Sequence, residues 1–154
     1  MGILQEKYHD PKAAAQTYAR VLELEPENKF AWYNLGVLAQ EAGRTGDARA
    51  AYDRALKADP AFPPALFNEA LLLERSDPDQ AAALLHRAVA AAPPAATAHL
   101  HLGRIWARRH LDREAAGEFR LAVAADPSLR SQVPEKFRDS PDPSSPSSEA
   151  GSDS

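Results

Sequence analysis

Four prolines recur through this chain at an almost constant interval, and this spacing constrains the fold more than any other feature. Pro26, Pro60, Pro93 and Pro127 lie 34, 33 and 34 residues apart, and they close the similar phrases LELEP, LKADP, VAAAP and VAADP. A helix interior does not tolerate proline. Since the chain combines 13 prolines with 32 alanines, which favour helices, the prolines are expected to lie between helices. The sequence therefore predicts a series of equivalent helical units.

Each interval contains two stretches in which apolar residues recur with a helical period, separated by a helix breaker. The predicted helices cover about 29–42 and 46–58, 63–75 and 79–91, and 96–109 and 113–125. Asp10-Pro11 and Asp77-Pro78 each place an acceptor at a helix N-cap and a proline at the next position, where the missing N–H costs nothing. One helix pair alone buries too little apolar surface, so we expect the pairs to stack on their neighbours.

Alignment on the proline interval brings further residues into register. The second unit contributes Trp32, Leu35, Gly36, Ala48, Tyr52, Ala55 and Pro60. The fourth contributes Leu102, Gly103, Trp106, Ala115, Phe119, Ala122 and Pro127, and the degenerate third contributes Leu66, Ala70, Ala81, Leu85, Ala88 and Pro93. These residues resemble the W-x2-L-G-x2-Y…A-x3-F…P pattern of tetratricopeptide repeats. Over residues 1–129 the resemblance implies an all-α fold, a right-handed α-solenoid of about 3.5 repeats.

The same alignment divides the chain into a repeat domain at 1–138 and a tail at 139–154. We expect repeat units at about 1–28, 29–62, 63–95 and 96–129, followed by a short capping segment at 130–138. The first unit is incomplete, because Met1 and Gly2 occupy the places of Leu35 and Gly36. Either an upstream segment is missing or the open end docks on another protein, such as a second copy. The tail is rich in Ser, Pro and acidic residues and is expected to be disordered.

Composition excludes several classes of partner and cofactor. The chain has no cysteine, which removes disulfides, thiolate catalysis and cysteine-ligated metals. No apolar run approaches the ~20 residues of a membrane span. Of the 22 acidic residues, four lie in 139–154, which holds no base, so the remainder carries 18 acids against 18 bases. Charge therefore gives no reason to expect nucleic acid or an anionic membrane as a partner. We expect a cytoplasmic protein without a cofactor.

No catalytic motif is present: the chain has no Gly-rich phosphate loop, no H-E-x-x-H and no G-x-S-x-G. The five histidines are His9, His86, His99, His101 and His110. His99 and His101 are two residues apart on a predicted helix, so they point in different directions and do not form a chelating pair. We therefore expect neither a metal site nor an enzyme.

The resemblance implies a concave groove lined by the first helix of each repeat, in which residues at i, i+3, i+4 and i+7 share one face. The candidate lining residues are Phe30, Tyr33, Asn34 and Val37 in the second unit, Phe67, Asn68 and Leu71 in the third, and Leu100, His101, Arg104 and Arg108 in the fourth. Tyr33, Phe67 and Leu100 occupy one repeat position and are expected to form an exposed apolar stripe. Asn34 and Asn68 occupy the next position and form an amide ladder. The last unit adds a basic end, which consists of His101, Arg104 and Arg108.

Each feature has an alternative interpretation. The stripe would carry no binding function if it were buried between helices, and the amides would be occupied if they bonded a neighbouring helix. The basic end would simply be a solvated surface. The two-carboxylate clamp of co-chaperone repeats is absent, because Tyr33 and Val37 replace its first Lys and Asn and Thr97 and His101 its later Lys and Arg.

The resulting hypothesis is a non-catalytic adaptor that binds a peptide or short helix in its groove, with any acidic end of the ligand near Arg104 and Arg108. The alternative is a structural module that self-assembles through the open first repeat, or a fragment of a longer solenoid.

Overall fold

The computed structural model describes residues 10–138, and the regular structure in this part of the chain is entirely helical. The helices are α1 (Pro11–Leu24), α2 (Lys29–Glu41), α3 (Thr45–Ala58), α4 (Pro63–Leu73), α5 (Pro78–Ala91), α6 (Ala96–Arg108) and α7 (Asp112–Ala125), followed by a 3-10 helix (Pro127–Gln132) and α8 (Glu135–Arg138). The six predicted helices begin and end within two residues of these bounds, and the all-α repeat class is confirmed. The predictions for Met1, Gly2, His9 and the tail lie outside the described residues.

The chain divides into two compact units at Ala91–Ala92. In the first unit, α2 packs against α3 and α4 against α5, while α3 contacts α4 and α1 contacts α2. In the second unit α6 packs against α7, and the 3-10 helix and α8 lie on α7. Each unit is therefore built from antiparallel helix pairs, as the proline interval predicts.

Glycine allows the two helices of a pair to approach closely. A Cβ atom at Gly36 would lie 2.5 Å from Cε1 of Tyr52, and one at Gly103 would lie 2.5 Å from Cε1 of Phe119. Both aromatic rings are buried and lie flush against the backbone of the facing helix. Glycine is required at positions 36 and 103 because the aromatic ring of the facing helix occupies the space that a side chain would take.

Helix ends follow the sequence signals. Asp10 Oδ1 accepts from the Ala13 amide, and Asp77 Oδ1 accepts from the Gln80 amide. Across residues 10–138 every proline lies in a loop or in the first turn of a helix. Gly43 follows α2 with φ +78°, and His110 follows α6 with φ +61°. This left-handed conformation costs a glycine little and a histidine more.

The N-cap of α7 lacks the side-chain hydrogen bond that Asp10 and Asp77 provide at their helices. Leu111 occupies this N-cap, offers no side-chain acceptor and is 42% exposed. We expect Leu111→Asp to stabilise the protein by about 0.5–2 kcal/mol, because it supplies the acceptor that Asp10 and Asp77 supply elsewhere. Urea denaturation monitored by circular dichroism measures the change. Leu111→Asn should give a similar gain and Leu111→Ala little, and equal effects of all three would contradict the capping explanation.

The segment after α7 covers the apolar face of the second unit. Leu129, Val133 and Phe137 are buried in one cluster with Leu100 and Phe119. The Phe119 and Phe137 ring centroids are 5.2 Å apart. The apolar side chains of this segment therefore complete the core of the second unit.

Candidate peptide-binding faces

In the first unit, the first helices of two successive repeats carry equivalent side chains that meet. Asn68 of α4 donates from Nδ2 to the hydroxyl oxygen of Tyr33 in α2, at 3.2 Å. Around this bond lie the candidate residues of both helices, which form the α2–α4 face: Phe30, Tyr33, Asn34, Val37, Phe67, Asn68 and Leu71. All are half-buried except Phe30, which is 59% exposed. The face therefore presents apolar and amide side chains that solvent still reaches.

An aromatic cluster forms one edge of this face. The Phe62 ring meets Phe30 edge-on at 5.4 Å between centroids and Tyr33 edge-on at 5.8 Å. Lys29 Nζ lies 4.9 Å from the Phe62 ring centroid and forms an ion pair with Asp59. The hydrogen bond and charge of Lys29 hold the pKa of the Asp59 carboxyl below its ordinary value. The cation beside the exposed Phe30 ring is therefore already paired with a carboxylate.

A polar network lies beneath the face. Asn68 Nδ2 also donates to the hydroxyl oxygen of Tyr52, at 3.4 Å. That hydroxyl group lies 2.6 Å from Gln40 Oε1. Burial raises the pKa of Tyr52, so the phenol is neutral near pH 7 and donates its proton to Gln40. Asn68 thus uses both amide hydrogens on tyrosine oxygens. The side-chain amide of its predicted counterpart Asn34 makes no hydrogen bond within residues 10–138. The two members of the amide ladder are therefore in different states.

Leu100 does not contribute to an exposed stripe. It occupies the position of Tyr33 and Phe67, but it is 1% exposed and belongs to the buried cluster of the second unit. The prediction of an exposed stripe at this position is wrong because the apolar segment ending at Phe137 adds to that cluster. Position within a repeat did not reveal this, since burial here depends on the chain that follows the last repeat.

The second unit carries the predicted basic residues on α6. His101 and Arg104 are half-buried and Arg108 is exposed. The guanidinium group of Arg104 makes no ion pair or hydrogen bond with any other residue in the described part of the chain. We refer to these three residues as the basic face. His99, on another side of the same helix, lies with Nδ1 2.6 Å from Glu118 Oε1.

A buried carboxyl group, not predicted from the sequence, lies in α4 of the first unit. Glu69 is 1% exposed, and its Oε1 has no hydrogen-bond partner among residues 10–138. Its Oε2 lies 3.7 Å from Arg49 Nε. Burial first, and then the hydrogen bond and charge of Asp53, raise the pKa of Glu69 to about 8, while Arg49 and Arg87 oppose this shift. The repeat alignment contains the signal, because Glu69 occupies the position that holds Leu35 and Leu102.

Residues 2–63 and 70–129 match a family model described as tetratricopeptide repeat. The chain belongs to the tetratricopeptide repeat family. The resemblance drawn from the proline interval is thereby confirmed, and so is the nature of the chain as a protein-interaction repeat scaffold. Within residues 10–138, no helix has the length and apolar character that crossing a bilayer requires.

Known proteins share this fold over much of the chain. The crystal structure of MamA matches this chain with a TM-score of 0.74 and a sequence identity of 20%. The match covers 85% of this chain and 77% of the MamA chain. A MamA chain from Desulfovibrio magneticus RS-1 is 23% identical with a TM-score of 0.68, covering 83% and 73%. At this identity the likeness shows the fold alone.

Curated relatives match over shorter stretches. A probable N-acetylglucosaminyltransferase SPINDLY of Petunia hybrida is 34% identical over 64 residues, which is 42% of this chain and 7% of the relative. Cellulose synthase operon protein C of Pseudomonas fluorescens strain SBW25 is 36% identical over 88 residues, covering 56% and 7%. Because these matches cover so little of the relatives, no transferase activity is shown for this chain.

Proposed function

We propose that the chain is a non-catalytic adaptor whose α2–α4 face binds an extended peptide or short helix of a partner protein. The observation that supports this most is the exposed Phe30 ring beside a free amide. Phe30 is 59% exposed. The side-chain amide of Asn34, one helical turn further along α2, has no hydrogen-bond partner in the described residues. An apolar anchor with an adjacent donor and acceptor matches both the side chains and the backbone of a peptide.

For the second unit, we propose that the basic face binds an acidic group of a partner. Arg104 is half-buried and lacks an acidic partner within residues 10–138. An arginine–carboxylate pair that is partly shielded from water is stronger than an exposed one, because water screens the charges less. The two faces are separate proposals, since either could bind a ligand without the other.

Selection of random 12-residue peptides on the full chain tests both proposals. We expect peptides with an aromatic or aliphatic anchor to be enriched. For them, Asn34→Ala should weaken binding about two- to tenfold, the equivalent of one hydrogen bond. For peptides that end in acidic residues, Arg104→Ala should weaken binding similarly and more at low salt. Fluorescence anisotropy provides the affinities.

Gln16→Ala, on an exposed position of α1, is the matched control for Asn34→Ala and should leave the affinity unchanged. Failure to enrich any peptide would contradict the adaptor proposal. Concentration-dependent oligomers in light scattering would favour the alternative of self-assembly through the first repeat.

A further inference from the structure

Two consecutive residues of α3 meet two consecutive residues of α4 at the boundary between successive repeats. Asn68 Nδ2 donates to the hydroxyl oxygen of Tyr52 at 3.4 Å. The next residues along the two helices, Asp53 and Glu69, are joined by a hydrogen bond between their carboxyl groups, and we refer to them as the carboxyl pair. Because the two contacts are neighbours on both helices, a displacement at the carboxyl pair also disturbs the Tyr52–Asn68 bond.

The carboxyl pair keeps its hydrogen bond only while Glu69 carries a proton. The Glu69 side chain is 1% exposed, whereas Asp53 lies at the surface. A protonated Glu69 donates to the Asp53 carboxylate, but an ionised Glu69 has no proton to donate and places a like charge beside it. Its Oε1 then has no hydrogen-bond donor among residues 10–138. Loss of the proton therefore replaces an attraction between α3 and α4 with a repulsion.

The neighbouring cations already have other acceptors. Arg49 Nε lies 3.7 Å from Glu69 Oε2, which is beyond hydrogen-bond distance, while Arg49 Nη2 donates to Gln80 Oε1 at 3.0 Å. Arg87 Nη2 donates to the carbonyl oxygen of Pro60 at 2.9 Å. The helices packed against α4 are α3 and α5. The charged and titratable groups that they direct at the Glu69 carboxyl are Arg49, Tyr52, Asp53 and Arg87.

We propose that the carboxyl pair is a pH-sensitive switch between two successive repeats, which holds α3 against α4 while it contains a proton and loosens when that proton passes to solvent. Loosening disturbs the adjacent Tyr52–Asn68 bond, and with it the α2–α4 face, so peptide binding weakens as the pH rises. The effect on peptide binding rests on the proposed function of that face, whereas the loosening itself does not. Burial and Asp53 raise the pKa of Glu69 to about 8, so the change falls at neutral to mildly alkaline pH.

Hydrogen–deuterium exchange of the full chain at pH 6.5 and 7.5, followed by mass spectrometry, tests the switch without any ligand. After correction for the pH dependence of chemical exchange, we expect the protection of α3 and α4 to fall about tenfold, because loosening releases one proton. Protection of α6 and α7, in the second unit, should stay constant. The fall should be absent in Glu69→Gln, which does not ionise and keeps a donor for Asp53, and in Glu69→Leu, a second variant that does not ionise.

A further variant separates the carboxyl pair from the burial of Glu69 alone. Asp53→Asn removes a charge that opposes the ionisation of Glu69, so protection should stop falling at a lower pH than in the wild-type protein. Asp47→Asn, which alters an exposed acid in the first turn of the same helix, is the matched control and should behave as the wild type. The same end point in Asp53→Asn and Asp47→Asn would overturn the role of Asp53.

Peptide affinity provides the second measurement. For an enriched 12-residue peptide with blocked termini and no ionisable side chain, we expect weaker binding to the wild-type protein at pH 8.5 than at pH 6.5, and equal binding to Glu69→Gln at both. Equal affinity of the wild type at both pH values would overturn the effect on binding while the proposed function survives. If no peptide is enriched, the proposed function fails, and the exchange measurement alone decides the switch.

The exchange measurement has two outcomes that would overturn the switch. One is the same pH dependence of protection in the wild type and in both Glu69 variants. The other is an equal fall in both units, which would show that the whole chain unfolds rather than that α3 and α4 loosen.

Discussion

Gly36→Ala is expected to destabilise the first unit by about 1–3 kcal/mol, the usual cost of overpacking a core. The new methyl group would lie 2.5 Å from Cε1 and 2.6 Å from Cδ1 of Tyr52. The Tyr52 side chain is fully buried, so its ring cannot turn out into solvent to make room for the methyl group. The substitution should also weaken peptide binding, because displacing Tyr52 disturbs the hydrogen bond that holds Asn68. Urea denaturation and the anisotropy assay measure the two effects.

The second unit offers an equivalent substitution and a matched control. Gly103→Ala should be destabilising for the same reason, with the methyl group 2.5 Å from Cε1 of Phe119. Gly117, also inside a helix, would place a Cβ no nearer than 3.8 Å to Arg120 Nη2. Gly117→Ala should therefore stabilise by about 0.5–1 kcal/mol, the ordinary helix preference for alanine. If all three substitutions were neutral, the close approach of ring and backbone would not constrain the fold.

Glu69→Leu is expected to stabilise the protein by about 1–4 kcal/mol above about pH 8, where the carboxyl is ionised; this is the range for exchanging a buried ionic group for a well-packed apolar one. Leucine already occupies this repeat position at 35 and 102, so the space suits it. Asp53 lies on the surface of α3, and Arg49 remains partly exposed, so both can turn to water when Glu69 is removed. The gain comes from removing a buried carboxyl group whose Oε1 finds no hydrogen-bond partner in the described part of the chain.

The same residue predicts how stability depends on pH. Its pKa is about 8 in the folded protein against an ordinary value of 4.5, so the folded state binds the proton more tightly than the unfolded state. The contribution of Glu69 to the free energy of unfolding is therefore largest below pH 4.5, falls as the pH rises from 4.5 to about 8, and is constant above that. Urea denaturation at pH 5, 7 and 8.5 measures this slope.

Two variants separate the carboxyl group from the rest of the chain. Glu69→Gln and Glu69→Leu should both be less sensitive to pH over this window than the wild-type protein. Glu118→Gln, which alters a carboxyl group in the second unit, should leave the Glu69 contribution in place. Parallel pH dependence of the wild type and both Glu69 variants would show that Glu69 ionises normally.

The sequence predicted the helices and their order closely because the signals involved are local. A proline ends or begins a helix wherever it lies, and Asp10 and Asp77 cap the helices that follow them through bonds only three residues long. The glycines that recur at 36 and 103 likewise lie where two neighbouring helices approach closely. Such effects depend on neighbours in the same repeat, so periodic alignment carries them from one repeat to the next.

The site was predicted less well, because burial and hydrogen bonding there depend on other elements. Leu100 shares a repeat position with Tyr33, yet it is buried in a cluster that the segment ending at Phe137 joins. Asn68 shares a position with Asn34, yet it bonds Tyr33 and Tyr52, 35 and 16 residues away. These partners are specific to one repeat, and a shared pattern does not contain them. Attention to departures from the pattern would have revealed Glu69.

Tyr52 packs on Gly36 in the same way that Phe119 packs on Gly103, and the two aromatic side chains differ by one oxygen atom. The ring alone suffices for packing, so this oxygen is not needed to hold a helix pair together. In the first unit it joins Gln40 to Asn68, whereas Phe119 has nothing with which to form such a link. A hydroxyl group can thus be gained or lost in one repeat without dismantling it. The two repeats thus share one packing arrangement, and a single oxygen atom gives one of them a hydrogen-bond network that its counterpart cannot form.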